Sequence, residues 1–262
     1  MADPRFVARY GPWAVVVGAS EGLGAAFAER LATRGLSLVL LARRLDLLED
    51  VAAGLRARHE VEVRTVATDA GSASFASALA AAVDGLEVGL LVYNAARAPI
   101  GPFLETGLDD LLAVVDVNVA GPVRAVRTLA PQLVARGRGG VVLMSSLAGL
   151  QGSPRIATYA ASKAFNTILA EGLWRELAPH GVAVLVSCAG AIRTPGYQRA
   201  TGREAPGTLA AADVAERTLL ALGAGPRVVP GLVNRLAAFL MGRLLPRRLA
   251  IAMMEANTRE LT

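Results

Sequence analysis

Trp13-Ala14-Val15-Val16-Val17-Gly18 runs into Ala19-Ser20-Glu21-Gly22-Leu23-Gly24 and then into Ala25 to Thr33, a segment of helical length and spacing. The first six residues are nearly continuous in apolar side chains, as a strand buried on both faces requires. In the turn that follows, Gly18, Gly22 and Gly24 permit a tight reversal and close backbone approach to a pyrophosphate at the helix N-terminus. A strand before and a helix after distinguish such a turn from an ordinary one.

The same alternation extends outward. Leu36 to Leu41, Val61 to Ala67, Val88 to Tyr93, Val141 to Met144 and Val182 to Cys188 read as further strands. Leu45 to Ala57, Phe75 to Val83, Leu108 to Leu133 and Thr158 to Leu177 read as helices, with Gly35 and Gly181 placed as C-terminal caps. Alternating βα units predict an α/β fold: a Rossmann-type, doubly wound parallel sheet in three α/β/α layers, with ligands beyond the carboxyl ends of the strands. No Pro/Ser/Gly-rich linker interrupts the pattern before residue 225. Residues 1–230 are therefore expected to form one dinucleotide-binding and catalytic domain, and 231–262 a helical extension of it.

Composition narrows the class. Of 262 residues, 53% are hydrophobic, yet no run of 18 apolar residues suits a membrane-spanning helix. Met1-Ala2-Asp3-Pro4-Arg5 opens no secretory signal, so a cytoplasmic location is expected. The net charge of +5 would permit nucleic-acid contact, but the arginines are scattered among acids and aromatics are only 5%, which argues against it. Cys188 has no internal partner and sits in a strand as a small hydrophobe. No metal ion is expected.

The chain holds 26 arginines and one lysine, Lys163, four residues after Tyr159. On a helix that spacing puts both side chains on one face. With four tyrosines in the chain, chance produces the pairing about once in sixty. A compact ammonium can stand beside a phenol and reach ribose hydroxyls, whereas a guanidinium is wider and permanently charged. Bringing a phenol from about 10 to near 7 needs roughly 4 kcal/mol of phenolate stabilisation, and Lys163 is expected to supply part of it. The second strand ends Leu41-Ala42-Arg43-Arg44, where an acid would bind a ribose 2′-hydroxyl. Two guanidinium groups there suit a 2′-phosphate and favour NADP over NAD, or else they are solvated arginines opening a helix.

The spacing Gly18-x-x-x-Gly22-x-Gly24 and the block Ser145-Ser146-Leu147-Ala148-Gly149 to Tyr159-Ala160-Ala161-Ser162-Lys163 resemble the short-chain dehydrogenase/reductase family over residues 13 to 200. The resemblance implies hydride transfer by a nicotinamide cofactor, with Tyr159 as acid/base, Ser146 orienting the substrate oxygen and Asn118 steadying a water chain to Lys163. It implies cofactor contacts from Gly18, Ser20, Glu21, Gly22, Leu23 and Gly24, from Asp69 and Ala70, from Asn94, Ala95 and Ala96, and from Gly190, Ile192 and Thr194. The chain departs from the family pattern at Val17, Tyr93, Ala96 and Ala189. Glu21 stands where users of NADP often carry a basic residue, which leaves the phosphate mainly to Arg43.

By the same resemblance the substrate wall comes from Leu147, Leu150, Gln151, Ile156 and Tyr197, so a hydrophobic ketone or secondary alcohol is expected, with a homodimer or homotetramer as the assembly. Leu232, Leu236, Phe239, Leu240 and Leu244 recur at helical spacing among arginines. This tail is expected to cover the substrate mouth, pack on another subunit or lie on a membrane surface. A non-catalytic NADP-binding sensor or scaffold on the same fold stays open.

Overall fold

The computed structural model describes residues 3–201 and 204–259. Its main sheet has seven parallel strands: β1 (Trp13–Val17), β2 (Ser37–Ala42), β3 (Val63–Ala67), β4 (Val88–Tyr93), β5 (Gly139–Ser146), β6 (Val182–Ala189) and a short last strand, Arg227–Val228. Their order is β3-β2-β1-β4-β5-β6 with Arg227–Val228 at the far edge. Val15 pairs with Val39 on one side and Leu91 on the other, so β1 is central. The chain changes direction of winding between β1 and β4, and the carboxyl ends of these two strands open a crevice.

Alternate side chains of β1 feed two cores. Ala14 and Val16 pack with Leu23, Phe27 and Leu31 of helix α2 (Gly22–Thr33), Leu48 and Leu55 of α3 (Leu45–Arg58), and Val214 and Leu219 of the helix Ala211–Ala221. Trp13, Val15 and Val17 pack on the other face with Phe75 and Leu79 of α4 (Phe75–Ala82) and Leu129 and Leu133 of the helix Gly121–Arg136. Each fully buried Leu or Phe contributes roughly 1.5–3 kcal/mol relative to exposure. The expected three layers are present.

The expected helix Leu108 to Leu133 is not continuous. It divides into α5 (Leu108–Val115), a π-turn over Asp116–Ala120 and α6 (Gly121–Arg136). At the π-turn the Gly121 N–H bonds to Asp116 O, five residues back, and Pro122 has no N–H to offer Val117. The Tyr93 hydroxyl supplies the missing donor to Val117 O at 2.5 Å. Only glycine fits at 121, where a Cβ would lie 2.0 Å from that hydroxyl.

Further boundaries shift for local reasons. Helix α2 begins at Gly22, inside the glycine turn, and β5 runs two residues further at each end than the apolar run suggests. Gly35 and Gly181 take left-handed conformations, φ +89° and +72°, as caps require. A seven-residue helix, Pro4–Tyr10, precedes β1, N-capped by the Asp3 carboxylate, which accepts from the Arg5 and Phe6 amides. After β6 come a two-stranded pair, Ile192–Arg193 with Leu209–Ala210, and a short helix, Pro195–Ala200. The tail is not one helix: Leu232–Phe239 continues into a π-turn, Leu240–Leu244, and after Pro246 a second helix spans Arg247–Thr258.

Candidate active site

A cleft of about 560 Å³ opens at the carboxyl ends of β1 and β4. Gly18, Ser20, Glu21, Gly22, Leu23, Arg43, Asp69, Ala70, Asn94, Ala95, Ala96, Ser146, Tyr159, Lys163, Gly190, Ile192 and Thr194 all line it. Gly24 and Asn118 do not. Gly24 lies under the loop, where a Cβ would fall 1.9 Å from Gly18 O, so it serves packing of helix on strand. Asn118 is buried one layer behind the cleft.

Gly18 and Gly22 have φ +83° and +59°. A Cβ on Gly18 would come within 2.7 Å of the Ala95 backbone, and one on Gly22 within 3.1 Å of the Thr194 side chain. This Cβ-free cradle, at the start of a helix with unpaired N–H groups, fits a pyrophosphate. Asn94 holds the loop from below, its amide donating to Gly18 O at 3.0 Å. Asp69 accepts from the Gly71 amide at 2.9 Å and so fixes its own turn at the rim.

At the end of β2 the two arginines differ. Arg44 lies 2.9 Å from Glu21, which also meets Arg199 of helix Pro195–Ala200 at 3.2 Å. Burial disfavours the Glu21 charge, but the two guanidinium groups outweigh it and hold the carboxyl below its usual range. Arg43 is exposed on the cleft wall and makes no ion pair among the described residues. Of the two guanidinium groups, Arg44 is engaged by an acid and Arg43 is not, among the described residues.

Tyr159 and Lys163 lie one turn apart on α7 (Ala157–Leu177), facing Ser146 at the end of β5. Ser146 caps the 3₁₀ turn Leu147–Leu150, accepting from the Ala148 amide at 3.2 Å. Its hydroxyl stands close enough to the Tyr159 phenol to favour the phenolate, yet burial dominates and pushes the phenol above its usual value. The Lys163 ammonium sits over the Tyr159 ring, 5.4 Å from its centre, and donates to Met144 O at 3.0 Å. Burial lowers its pKa to about 8. Burial outweighs the Ser146 hydroxyl at the phenol, and the Lys163 ammonium is bonded to the strand.

Asn118 reaches the site through backbone. It accepts from the Arg97 amide at 2.8 Å and donates to Arg97 O and to Ser162 Oγ, each at 2.9 Å. Ser162 in turn donates to Tyr159 O at 2.7 Å. The π-turn places this side chain, and the Tyr93 hydroxyl secures the π-turn; Pro122 inside the expected helix and the unusual tyrosine at 93 are its signals in the sequence.

Part of the expected substrate wall turns inward. Leu147 and Leu150 pack on the core, and Gln151 is buried with its amide donating to Leu147 O at 3.2 Å. The 3₁₀ turn rotates Ala148 to the cleft instead, beside Ile156, Ile192 and Tyr197. The wall remains mainly apolar.

The tail packs on the segment after Ser146 and, through Asn234, on Gly190 of the cleft lining. Arg247 donates to Leu150 O at 2.6 Å, and Gly152 faces Ile251. Buried Asn234 donates to Gly207 O and Pro230 O, at 3.1 and 3.0 Å, leaving room only for glycine at 190.

Comparison with known proteins agrees with this geometry. Residues 12–205 match the model of the short chain dehydrogenase family. A very-long-chain 3-oxoacyl-CoA reductase of Aspergillus clavatus is 39% identical over 179 residues, 66% of this chain and 52% of that reductase. The chain thus spans about half the length of such relatives. A 7β-hydroxysteroid dehydrogenase structure superposes with a TM-score of 0.89 at 27% identity, covering 95% of this chain and 98% of that one. A Sphingobium yanoikuyae short-chain dehydrogenase in complex with NADPH gives 0.76 at 30% identity, covering 84% and 87%. This chain is a member of the short-chain dehydrogenase/reductase family.

Proposed function

We propose that the protein uses NADP(H) to interconvert a hydrophobic ketone and its secondary alcohol. The observation that carries the reading is the Tyr159 phenol facing Ser146 in an apolar-walled cleft, with the chain's one lysine a turn away. When bound, the nicotinamide supplies or accepts the hydride. Tyr159 gives its hydroxyl proton to the carbonyl oxygen in reduction and takes one back in oxidation. Burial keeps the phenol protonated at neutral pH, the form a proton donor needs. Ser146 donates a hydrogen bond to the same oxygen and fixes its position. Lys163, its pKa lowered by burial to about 8 and so still largely charged at neutral pH, holds the ribose side of the cleft and neutralises the phenolate left after transfer. Arg43 takes the 2′-phosphate.

The relatives' names favour ketones that are long and apolar, and Ala148, Ile156, Ile192 and Tyr197 suit such a chain. NADPH oxidation with a panel of hydrophobic ketones and 3-oxoacyl thioesters tests the reading; no oxidation across the panel would refute it and leave the sensor alternative. In the same assay Arg43→Asp raises the KM for NADPH on the order of 10 to 100-fold, the worth of a charge-assisted bond to phosphate, and barely changes that for NADH. Equal effects on both cofactors would remove Arg43 from the phosphate site.

We further propose a homodimer formed through Leu112 and Val115 of α5, Val123 of α6 and Phe165 and Ile168 of α7, large apolar side chains left exposed on adjoining helices. Light scattering of the purified protein should give twice the chain mass; a monomer at micromolar concentration would refute it.

A further inference from the structure

The helix Leu232–Phe239 is inverted relative to an ordinary surface helix. Its inward side carries the amide of Asn234, 4% exposed, with Ala237 and Ala238. Its outward side carries Leu232, Leu236 and Phe239, which are 74%, 60% and 54% exposed. The π-turn continues this surface with Leu240 and Leu244, and the next helix adds Leu249 and Met253. A soluble helix presents polar residues to water and apolar residues to the core. Here the order is reversed, so the apolar stripe lacks a partner among the described residues.

Charge identifies what covers it. From residue 217 to residue 254 the sequence contains six arginines and no acid. The acids at either boundary are already engaged: Glu216 with Arg30 and Arg34, and Glu255 with Arg259. Arg235, Arg243 and Arg248 are exposed beside the apolar stripe. Self-pairing across a two-fold axis would bring these positive groups onto copies of themselves, with no acid in the patch to separate them. An anionic bilayer complements both features, taking the apolar stripe into its interface and the guanidinium groups among its headgroups. Among the described residues no helix is long and apolar enough to cross a membrane. Binding in the plane of the surface is the mode that remains.

We infer that residues 232–253 form a docking surface for an anionic lipid bilayer. The packing of Asn234 against Gly190, which lines the cleft, sets this surface beside the site, so a docked protein would hold its cleft near the lipid boundary. The inference does not rest on the proposed reaction, because its test reads binding and not turnover.

Flotation of the full chain with phosphatidylcholine vesicles, with and without phosphatidylglycerol, tests it. Association is expected to be on the order of 10²-fold stronger with the anionic vesicles, from three exposed arginines, and to weaken as salt is raised. Leu232→Ser/Leu236→Ser/Phe239→Ser abolishes flotation while the circular dichroism spectrum is kept. Arg235→Glu/Arg243→Glu/Arg248→Glu, which touches no core residue, removes the preference for anionic lipid. Absence of flotation with either vesicle, or equal flotation with both, overturns the inference. So does a drop in oligomer size in the triple-serine variant without any lipid binding by the parent, since the face would then join two copies of this chain.

Discussion

Tyr159→Phe leaves NADPH binding intact and lowers kcat by on the order of 10³-fold, the range over which a positioned general acid acts. The substitution removes one oxygen. The ring keeps its place on α7 because its backbone is held by Ser162 and, through Ser162, by Asn118. The lost atom is the one that faces Ser146, whose hydroxyl favours its ionised form. Ser146 still offers a hydrogen bond to the substrate oxygen, but an aliphatic hydroxyl is far less acidic than a phenol and does not replace it as the proton source. Fluorescence titration with NADPH, beside steady-state turnover, separates binding from chemistry. Turnover within tenfold of the parent would remove Tyr159 from the reaction, and loss of NADPH binding would mean the phenol serves the cofactor pocket and not proton transfer.

What the sequence made legible follows from periodicity and from chemical scarcity. Six strands and five helices stood out because most carry a near-continuous apolar run or an apolar stripe, and burial on both faces leaves little choice of residue. Tyr159 and Lys163 stood out because the chain otherwise uses arginine for every basic position. Features set by a single long-range contact were not legible. The π-turn at Asp116–Ala120 depends on the hydroxyl of Tyr93 reaching a carbonyl 24 residues away, and no local period records that. The inward rotation of Leu147, Leu150 and Gln151 depends on Ser146 capping its own turn, so position after the serine was a poor guide to exposure. The two-residue strands are too short to carry a period at all. Arg43 and Arg44 read alike in sequence; the fold alone puts Glu21 against one of them.

Lys163→Met and Lys163→Arg should both lose turnover, and for different reasons that a stability measurement can distinguish. Lys163 is 3% exposed, and the turn Leu147–Leu150 packs directly on it: a Cβ at Gly149 would lie 3.0 Å from the Lys163 Cβ. A guanidinium is wider than an ammonium and cannot shed its proton, so Arg at 163 brings both overpacking and an obligatory buried charge. Met keeps the length without the charge. Burial lowers the lysine pKa from 10.5 to about 8. The native state therefore pays for a buried ammonium below about pH 8, and that cost falls as pH rises toward 10.5, because the folded chain releases the proton before the unfolded chain does. Lys163→Met removes the cost. Its advantage in stability over the parent is thus largest near neutral pH and shrinks by on the order of 2 kcal/mol between about pH 7.5 and about pH 9.5 in denaturant unfolding. A gap that does not change with pH would show that the ammonium is not desolvated, and turnover retained by the Met variant would show that its charge plays no part in the reaction.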